Sequence, residues 1–510
     1  MADADSKTRS AAGACETLKE CIRNKDLDGL LTEITVKGVD VNVDDGSGKP
    51  AIFVAATSDE PMFLETLLEF GADPNISTAS GETPLFAAAY KGLFDSISSL
   101  LKAGADPKAT LSDGTNLIKA ACSSGKSGAI KALAKAGADI NHESCPLQAA
   151  VMANSPTAVK TLLDLGADPC MSNNDEELQA LHLAAQRGQR EIVKIFVERK
   201  LPLDVLGQDS SPLMWAAERG NVDVVDDLCA AGASVDFPRS DGATALMVAV
   251  LAKQHRVIAS LLKAGASVDA RTEGGATALM FAAMVGDSPL IETFTKAGAA
   301  IDAQDANGQT ALFLAVHQLQ FTAVQALLRK KADVNICNAS MLSPLHIAVL
   351  VKRNDFVKMI MDAGAIIEHP DEDGYRALHH AVQVANYSAL RNLLGAGADP
   401  NVKAADERTP LLMAAQAGDQ EAVATLLKNG AHLDAACLEA AAEHDHLAEV
   451  LQGAATQDES QKTATDDKTA TDDKTATEEA AVDADSSQPG QEGQEAPISD
   501  HAQPPQSQIS

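Results

Sequence analysis

Apolar residues recur along this chain at helical spacing, in pairs of short segments separated by glycine. In one representative pair, the first segment carries an apolar face on Leu85 and Ala88, and the second on Ile97, Leu100 and Leu101. Spacings of three and four residues place each set on one face of a helix. The pattern therefore predicts a succession of short helix pairs that bury one face each.

Polar residues, proline and glycine mark the ends of these helices. Thr83 can cap the first helix of the pair, and Pro84 fits its first position, where a missing N–H costs nothing. Gly92 ends this helix, and Gly104 ends the second with the left-handed turn that glycine tolerates. A turn-rich segment follows as far as residues 113–114, where Asp-Gly indicates the tip of a hairpin finger.

The whole pattern repeats, with most steps 33 residues long. Its marker is a Gly-Ala-Asp phrase, which begins at Gly71, Gly104, Gly137, Gly166, Gly232, Gly265, Gly298, Gly364, Gly397 and Gly430, with degenerate copies at Gly38, Lys200 and Lys331. A fixed period of this length predicts a solenoid of small units that are stable only when stacked on one another.

The second half of each unit carries a Thr-Pro-Leu-His-like string, best seen in residues 83–89, 343–348 and 409–415. With the Gly-Ala-Asp phrase in register, the repeat resembles the ankyrin repeat, in twelve units over residues 38–433. The resemblance implies an all-α ankyrin-type solenoid of helix-turn-helix repeats with β-hairpin fingers. It also implies a protein that binds other proteins and carries out no reaction of its own.

The two ends differ from the repeats. Residues 15–37 predict an N-terminal cap of two helices and residues 434–453 a shortened C-terminal cap, together bounding a solenoid at 14–453. Residues 454–510 are acidic, with no aromatic and almost no large aliphatic side chains, and we expect a disordered tail there. We expect the same disorder for residues 1–13.

The net charge indicates the class of partner, and the cysteines indicate the redox state of the compartment. The net charge of −31 favours basic proteins and disfavours nucleic acid and anionic membranes. The sequence shows no signal peptide and no long apolar run, so we expect no membrane insertion and no secretion. The eight cysteines form no Cys-x-x-Cys pair, as is typical of reduced thiols. We expect a monomeric protein of the cytoplasm, or of the nucleus as well.

Three features resemble chemical sites and are interpreted as structural. Residues 120–127 fit a relaxed phosphate-loop pattern, but Gly125 falls in phase with glycines that end first helices elsewhere. His182, His346 and His379 share one repeat position, at which the histidine of ankyrin-type repeats bridges to the neighbouring unit. The acidic and histidine residues at 443–446 near Cys437 fit a polar cap better than a metal site. We therefore predict no catalytic, cofactor-binding or metal-binding residue.

The resemblance also indicates where a partner protein binds. In ankyrin-type units, the concave surface is built from the finger tips and from the last residues of each first helix. In repeats seven to eleven these positions become apolar, with two polar residues in the middle. The predicted partner-binding residues are Leu251, Met284, Val285, His317, Gln318, Met341, Leu342, Leu350, Val351, Tyr375 and Val384. The competing interpretation is that these residues only tighten the packing between helices.

The sequence leaves two further classes of function open and contains two irregular features. The acidic composition is also compatible with a chaperone or inhibitory subunit for a basic client, and an enzyme would need nucleotide binding at 125–127. The finger between Asn141 and Cys145 is four residues shorter than the others, which indicates either a joint or a gap between two binding segments. The single tryptophan, Trp215, stands at an aliphatic position and is expected in the core.

Overall fold

A computed structural model describes residues 2–172, 178–444 and 446–447, and the following statements concern that part of the chain. It consists of 27 helices joined by turns, with two isolated bridges, Thr110–Asn116 and Gly207–Ser210, in place of extended strands. Two compact units are distinguished: a larger one of residues 1–414 and 421–432, and a smaller one of residues 415–420 and those from 433 onward.

Each repeat contributes two helices, a first and a second, which alternate along the chain. The N-terminal pair is α1 (Ala2–Arg23) and α2 (Leu27–Thr35). The first helices of the repeats are α3 (Ala51–Ala56), α5 (Pro84–Lys91), α7 (Leu117–Ser124), α9 (Pro146–Met152), α11 (Ala180–Gln186), α13 (Pro212–Arg219), α15 (Ala245–Leu251), α17 (Ala278–Met284), α19 (Ala311–His317), α21 (Pro344–Leu350), α23 (Ala377–Gln383) and α25 (Pro410–Gln416).

The second helices of the repeats are α4 (Pro61–Glu69), α6 (Phe94–Lys102), α8 (Ser127–Lys135), α10 (Pro156–Asp164), α12 (Arg190–Glu198), α14 (Val222–Ala230), α16 (His255–Lys263), α18 (Ser288–Lys296), α20 (Phe321–Arg329), α22 (Asn354–Asp362), α24 (Tyr387–Gly395) and α26 (Gln420–Lys428). Helix α27 (Ala435–Ala441) follows the last repeat.

In the repeat of α5 and α6, the helices begin and end at the residues that the sequence predicts. The hydroxyl of Thr83 accepts a hydrogen bond from the Phe86 amide, and Pro84 is the first residue of α5. Gly92 ends α5 with a left-handed backbone, and Gly104 has a φ of +92° just after α6. The local sequence therefore determines where each helix of this repeat begins and ends.

Within the larger unit, first helices pack on first helices and second helices on second helices, as in α5 on α7 and α6 on α8. The interface between first helices is made of small side chains, such as the fully buried Ala88 and Ala89 of α5. Second helices contribute a buried aliphatic stripe, represented by Ile97 and Leu100 of α6. Small residues allow the close approach of first helices, which explains the low content of aromatic residues.

A polar ladder also joins neighbouring repeats. The side-chain amide of Asn75 donates to the carbonyl of Gly104 at 3.0 Å, and its oxygen accepts from the Asp106 amide at 2.8 Å. Asn42, Asn141, Asn335 and Asn401 form the same pair of bonds in their repeats. In five further repeats a carboxylate takes the place of the asparagine and accepts the hydrogen bond from the equivalent backbone amide. These residues are Asp204, Asp236, Asp269, Asp302 and Glu368.

Finger tips form a second ladder, with one backbone hydrogen bond between successive repeats. Over repeats seven to twelve the amides of Glu273, Ala306, Ala339, Glu372 and Ala405 donate to carbonyls of the preceding finger at 2.8 to 3.3 Å. The fingers are thus tight turns linked one to the next. Their single bonds explain why hairpin-like fingers appear without extended strands in the described residues.

The structure describes the N-terminal end of the chain but not the predicted C-terminal tail. The segment 15–37, for which the sequence predicts a cap, contains α2 and the C-terminal part of α1, and α1 begins at Ala2. Most of the segment for which the sequence predicts disorder, 1–13, is therefore part of the first helix, in keeping with its content of alanine, the best helix former. The predicted tail at 454–510 lies outside the described residues.

We expect Gly374→Ala to destabilise the protein more than Gly364→Ala. Both glycines have left-handed backbones, which cost an alanine about 1–2 kcal/mol. A Cβ at Gly364 would meet open space, whereas one at Gly374 would lie 2.7 Å from the Ala405 amide nitrogen, which bonds to the preceding finger. Gly374→Ala should therefore cost about 1 kcal/mol more.

Urea unfolding followed by circular dichroism would measure the difference, and amide hydrogen exchange at Ala405 would locate it in the finger ladder. Equal shifts of the unfolding midpoint in the two variants would contradict the close approach at Gly374.

Candidate protein-binding surface

The predicted partner-binding residues lie on one surface of the larger unit, which we name the inner-helix face. Leu251, Met284, His317 and Leu350 are the last residues of α15, α17, α19 and α21. The residues that cap the C-terminal ends of α17, α19, α21 and α23 are Val285, Gln318, Val351 and Val384. The predicted residues of the fingers are Met341, Leu342 and Tyr375, which precede α21 and α23 in the chain.

The side chains of this face are accessible. Leu251 and Met341 keep 50% and 45% of their surface exposed, and His317 and Gln318 are also exposed. The remaining seven predicted residues are half-buried, and none belongs to the buried core.

The structure adds a row of side chains that the sequence reasoning missed. These residues stand four positions after the residue that caps the start of each first helix, one helical turn before the predicted ones, and so share their face. They are Trp215, Val248 and Phe281, which are half-buried, and Leu314, Ile347 and His380, which are buried. A helical spacing of three from Leu251 and Met284 is the sequence signal that identifies them.

Trp215 and Phe281 are the largest of these added residues. Both are half-buried. The sequence predicts that Trp215 lies in the core, because aliphatic residues occupy its position in other repeats. This prediction is wrong, since part of the side chain reaches the surface. Its indole N–H donates to the carbonyl of Gly207 at 3.3 Å. An aromatic side chain with its polar group satisfied at a surface is typical of residues that contact partners.

The apolar face changes character at repeat eleven. His380 takes the aliphatic position and forms a hydrogen bond with Asp371 of the same repeat, with 2.8 Å between Nε2 and Oδ2. The Tyr375 ring lies 5.9 Å from the His380 ring, and the Tyr375 hydroxyl donates to Asp406 at 2.7 Å. This hydrogen bond lowers the pKa of Asp406. A connected polar group therefore bounds the apolar residues at this end.

The histidine position shared by several repeats is structural, as interpreted from the sequence. His182 Nε2 lies 3.0 Å from the carbonyl of Val205, and His379 Nε2 lies 3.2 Å from that of Arg408, each in the following finger region. Burial lowers the pKa of His182, and it lowers those of His346 and His379 to about 4. These rings are therefore neutral near neutral pH, and those of His182 and His379 bridge to the following repeat, whereas His346 bonds to Ser343 of its own repeat.

The phosphate-loop resemblance has a structural explanation too. Gly125 caps the end of α7 with a left-handed backbone, so a helix precedes it where a phosphate loop would have a strand. Its carbonyl accepts from the hydroxyls of Ser155 and Thr157, at 3.4 and 3.0 Å. The segment thus forms an ordinary turn between two helices of a repeat.

The histidines near the end of the described chain also bind backbone. In the smaller unit, Nε2 of His444 lies 3.2 Å from the carbonyl of Gln416, and Nε2 of His446 lies 2.9 Å from that of Gly418. The described residues contain no group of three or more His, Cys, Asp or Glu side chains arranged to hold a metal ion.

The short finger leaves an open cavity of about 940 Å³ in the larger unit. Asp113, Lys119, His142, Cys145 and Met152 contribute to its lining. Cys145 caps α9 with a left-handed backbone, at a φ of 51°, which is uncommon for a residue other than glycine. The cavity is an interruption in the finger row, and it lies apart in sequence from the apolar residues of repeats seven to eleven.

Comparison with known proteins identifies the class. The model of the ankyrin repeats family (three copies) matches residues 18–111, 95–173, 117–206, 181–272, 246–338, 279–371, 320–404 and 378–463. The chain therefore belongs to the ankyrin-repeat family. Ankyrin repeats are generally protein–protein interaction modules, and the fold is typically non-catalytic.

Individual relatives match over short stretches. An ankyrin repeat-containing protein of Treponema pallidum (strain Nichols) is 36% identical over 112 residues, 22% of this chain and 37% of the relative. A Danio rerio protein named as palmitoyltransferase ZDHHC13 is 31% identical over 102 residues, 20% of this chain and 16% of the relative. The matched stretches thus span well under half of each relative's length.

Among solved structures, the crystal structure of the human ASB11 ankyrin repeat domain is similar, with 25% identity and a TM-score of 0.40. The match covers 43% of this chain and 99% of that domain. No helix of the described residues has the length and apolarity needed to cross a membrane.

We expect His379→Gln to make stability less dependent on pH in acid. Burial lowers the pKa of His379 to about 4 from an ordinary 6.5. Below pH 6.5 the unfolded chain therefore takes up a proton that the folded chain refuses, and stability falls as the pH drops toward 4. Glutamine cannot titrate, and Gln148 already forms the equivalent bridge in repeat four, donating to Leu178 at 2.6 Å.

Urea unfolding at pH 7 and pH 4.5 would measure this effect. The wild-type protein should lose about 2 kcal/mol more than the variant between these conditions, because each unit of pKa shift corresponds to about 1.4 kcal/mol. Identical losses in the two proteins would show that His379 is not buried as a neutral ring.

Proposed function

We propose that this protein is a non-catalytic scaffold or adaptor that binds a partner protein through the inner-helix face of repeats seven to eleven. The observation that carries the proposal is a set of exposed or half-buried apolar residues at equivalent positions of these repeats, from Val248 and Leu251 to Leu350 and Val351. Exposed apolar residues that form one surface are typical of a binding site.

The kinds of side chain on this face fit binding better than chemistry. Met284 and Met341 are flexible and adapt to a partner's surface, and Phe281 offers a large apolar area. Of the titratable groups nearby, His380 and Asp371 are engaged with each other in a nearly buried pair, and His317 is exposed. The face therefore mainly supplies contact area and shape.

The setting of this function is also part of the proposal. We place the protein in the cytoplasm or nucleus as a monomer, with the solenoid at 14–453 as its binding domain and residues 454–510 as an acidic appendage. The net charge of −31 supports a second candidate, a chaperone or inhibitory subunit for a basic client that uses this appendage.

We expect the double variant Met284→Glu/Leu350→Glu to lose partner proteins captured by the wild-type chain, because two carboxylates would be forced against an apolar partner surface. Affinity should fall at least about a hundredfold, since each buried unpaired charge costs several kcal/mol. Pull-down from a lysate of the source cells, with quantitative mass spectrometry, would identify the proteins lost.

Val36→Glu/Met62→Glu is the matched control. Both residues are exposed, at 77% and 47%, near the N-terminal end of the chain and away from repeats seven to eleven. A truncated chain of residues 1–453 forms the third arm. Partners lost only on truncation would favour the chaperone, and partners retained by the Met284/Leu350 variant would contradict binding at this face. Circular dichroism would verify that each variant is folded.

A further inference from the structure

The two edges of the inner-helix face differ in charge. Along the finger edge, Glu273, Glu372 and Asp373 are exposed at the tips of the fingers of repeats eight and eleven. In the part of the chain that the structure describes, no lysine, arginine or histidine forms an ion pair with these three carboxylates. They are therefore available to a positively charged partner.

Most arginines along this edge are engaged with carboxylates of the protein's own surface. Arg239 pairs with Asp241 and Arg408 with Asp406, both at 2.5 Å, and Arg376 pairs with Glu368 at 3.2 Å. Arg271 donates only to carbonyls, including that of Gln304 at 2.7 Å, and so keeps its positive charge. One arginine thus stands against the three carboxylates, and the balance of charge along this edge is negative.

The opposite edge, where first helices end, carries the other sign. Lys253 and Lys352 lie just beyond the ends of α15 and α21, and both side chains are exposed. Arg256, on the first turn of α16, is exposed three residues after Lys253. The face therefore consists of an acidic finger edge, an apolar floor and a basic edge at the helix ends.

We propose that the partner segment bound here is amphipathic, with a row of apolar side chains and with lysine or arginine along the flank that meets the fingers. This inference rests on the proposed function and specifies the chemistry of the partner. Complementary charge at the edges of an interface selects partners and accelerates association, while the apolar centre supplies the affinity. The opposite charges of the two edges also fix which flank of the segment faces the fingers.

A random peptide library displayed on phage, selected against the full chain, would test the proposal directly. We expect the enriched peptides to combine apolar residues with lysine or arginine. The triple variant Glu273→Lys/Glu372→Lys/Asp373→Lys should bind these peptides about tenfold more weakly at low salt, with a smaller difference at high salt, because charges at an interface edge are screened by ions.

The same selection against the triple variant should enrich acidic peptides instead. Glu69→Lys/Glu191→Lys/Asp362→Lys is the matched control, since it makes the same change of net charge at exposed positions of second helices. The control variant should bind the wild-type peptides with an affinity close to that of the wild-type chain. An equal loss in both triple variants would overturn the proposal, because it would reflect overall charge alone.

Phe281→Glu separates the failure of this inference from that of the proposed function. If Phe281→Glu abolishes binding while reversal of the finger charges changes neither affinity nor composition, the face binds partners but the charge inference is wrong. If the enriched peptides bind the Phe281→Glu variant as well as they bind the wild-type chain, the face is not the binding site and both proposals fail.

Discussion

The structure depends on hydrogen bonds that each repeat can complete only with its neighbour. At the base of most fingers, an Asn, Asp or Glu side chain accepts a hydrogen bond from a backbone amide of the following repeat, usually 31 residues further on, as in the bond from the Asp106 amide to Asn75. A backbone amide needs such a partner or water. The contact therefore helps to hold neighbouring repeats in register, in keeping with the 33-residue period of the sequence.

This spacing determines which side chains line up on the inner-helix face. Because successive first helices are held in the same register, residues at equivalent positions, such as Phe281 and Leu314, line up into rows across repeats. The buried alanines between the helices hold the rows close together, as Ala282 and Ala315 illustrate. Similar contacts between repeats thus present side chains that differ from repeat to repeat, and on our proposal the differing ones select the partner.

Local chemistry could be predicted from the sequence because it acts within one repeat. The caps at Thr83 and Gly92, the family and the bridging role of His379 all depend on residues whose neighbours along the chain are visible in the sequence. The row containing Trp215 and Phe281 was missed because a half-buried position has the same helical phase as a core position. Only the packing of one repeat on the next shows which side of such a residue remains open.

The polar group at repeat eleven indicates where the apolar surface ends. His380 occupies the row that Phe281, Leu314 and Ile347 fill in earlier repeats, and it is held by Asp371 in a pair that is less than one tenth exposed. The hydrogen bond satisfies both polar side chains within the repeat, as burial of polar groups requires. It also interrupts the row of aliphatic side chains that the earlier repeats share. On our proposal, a partner that reached repeat eleven would therefore contact the half-buried Val384 and Tyr375 in place of a continuation of that row.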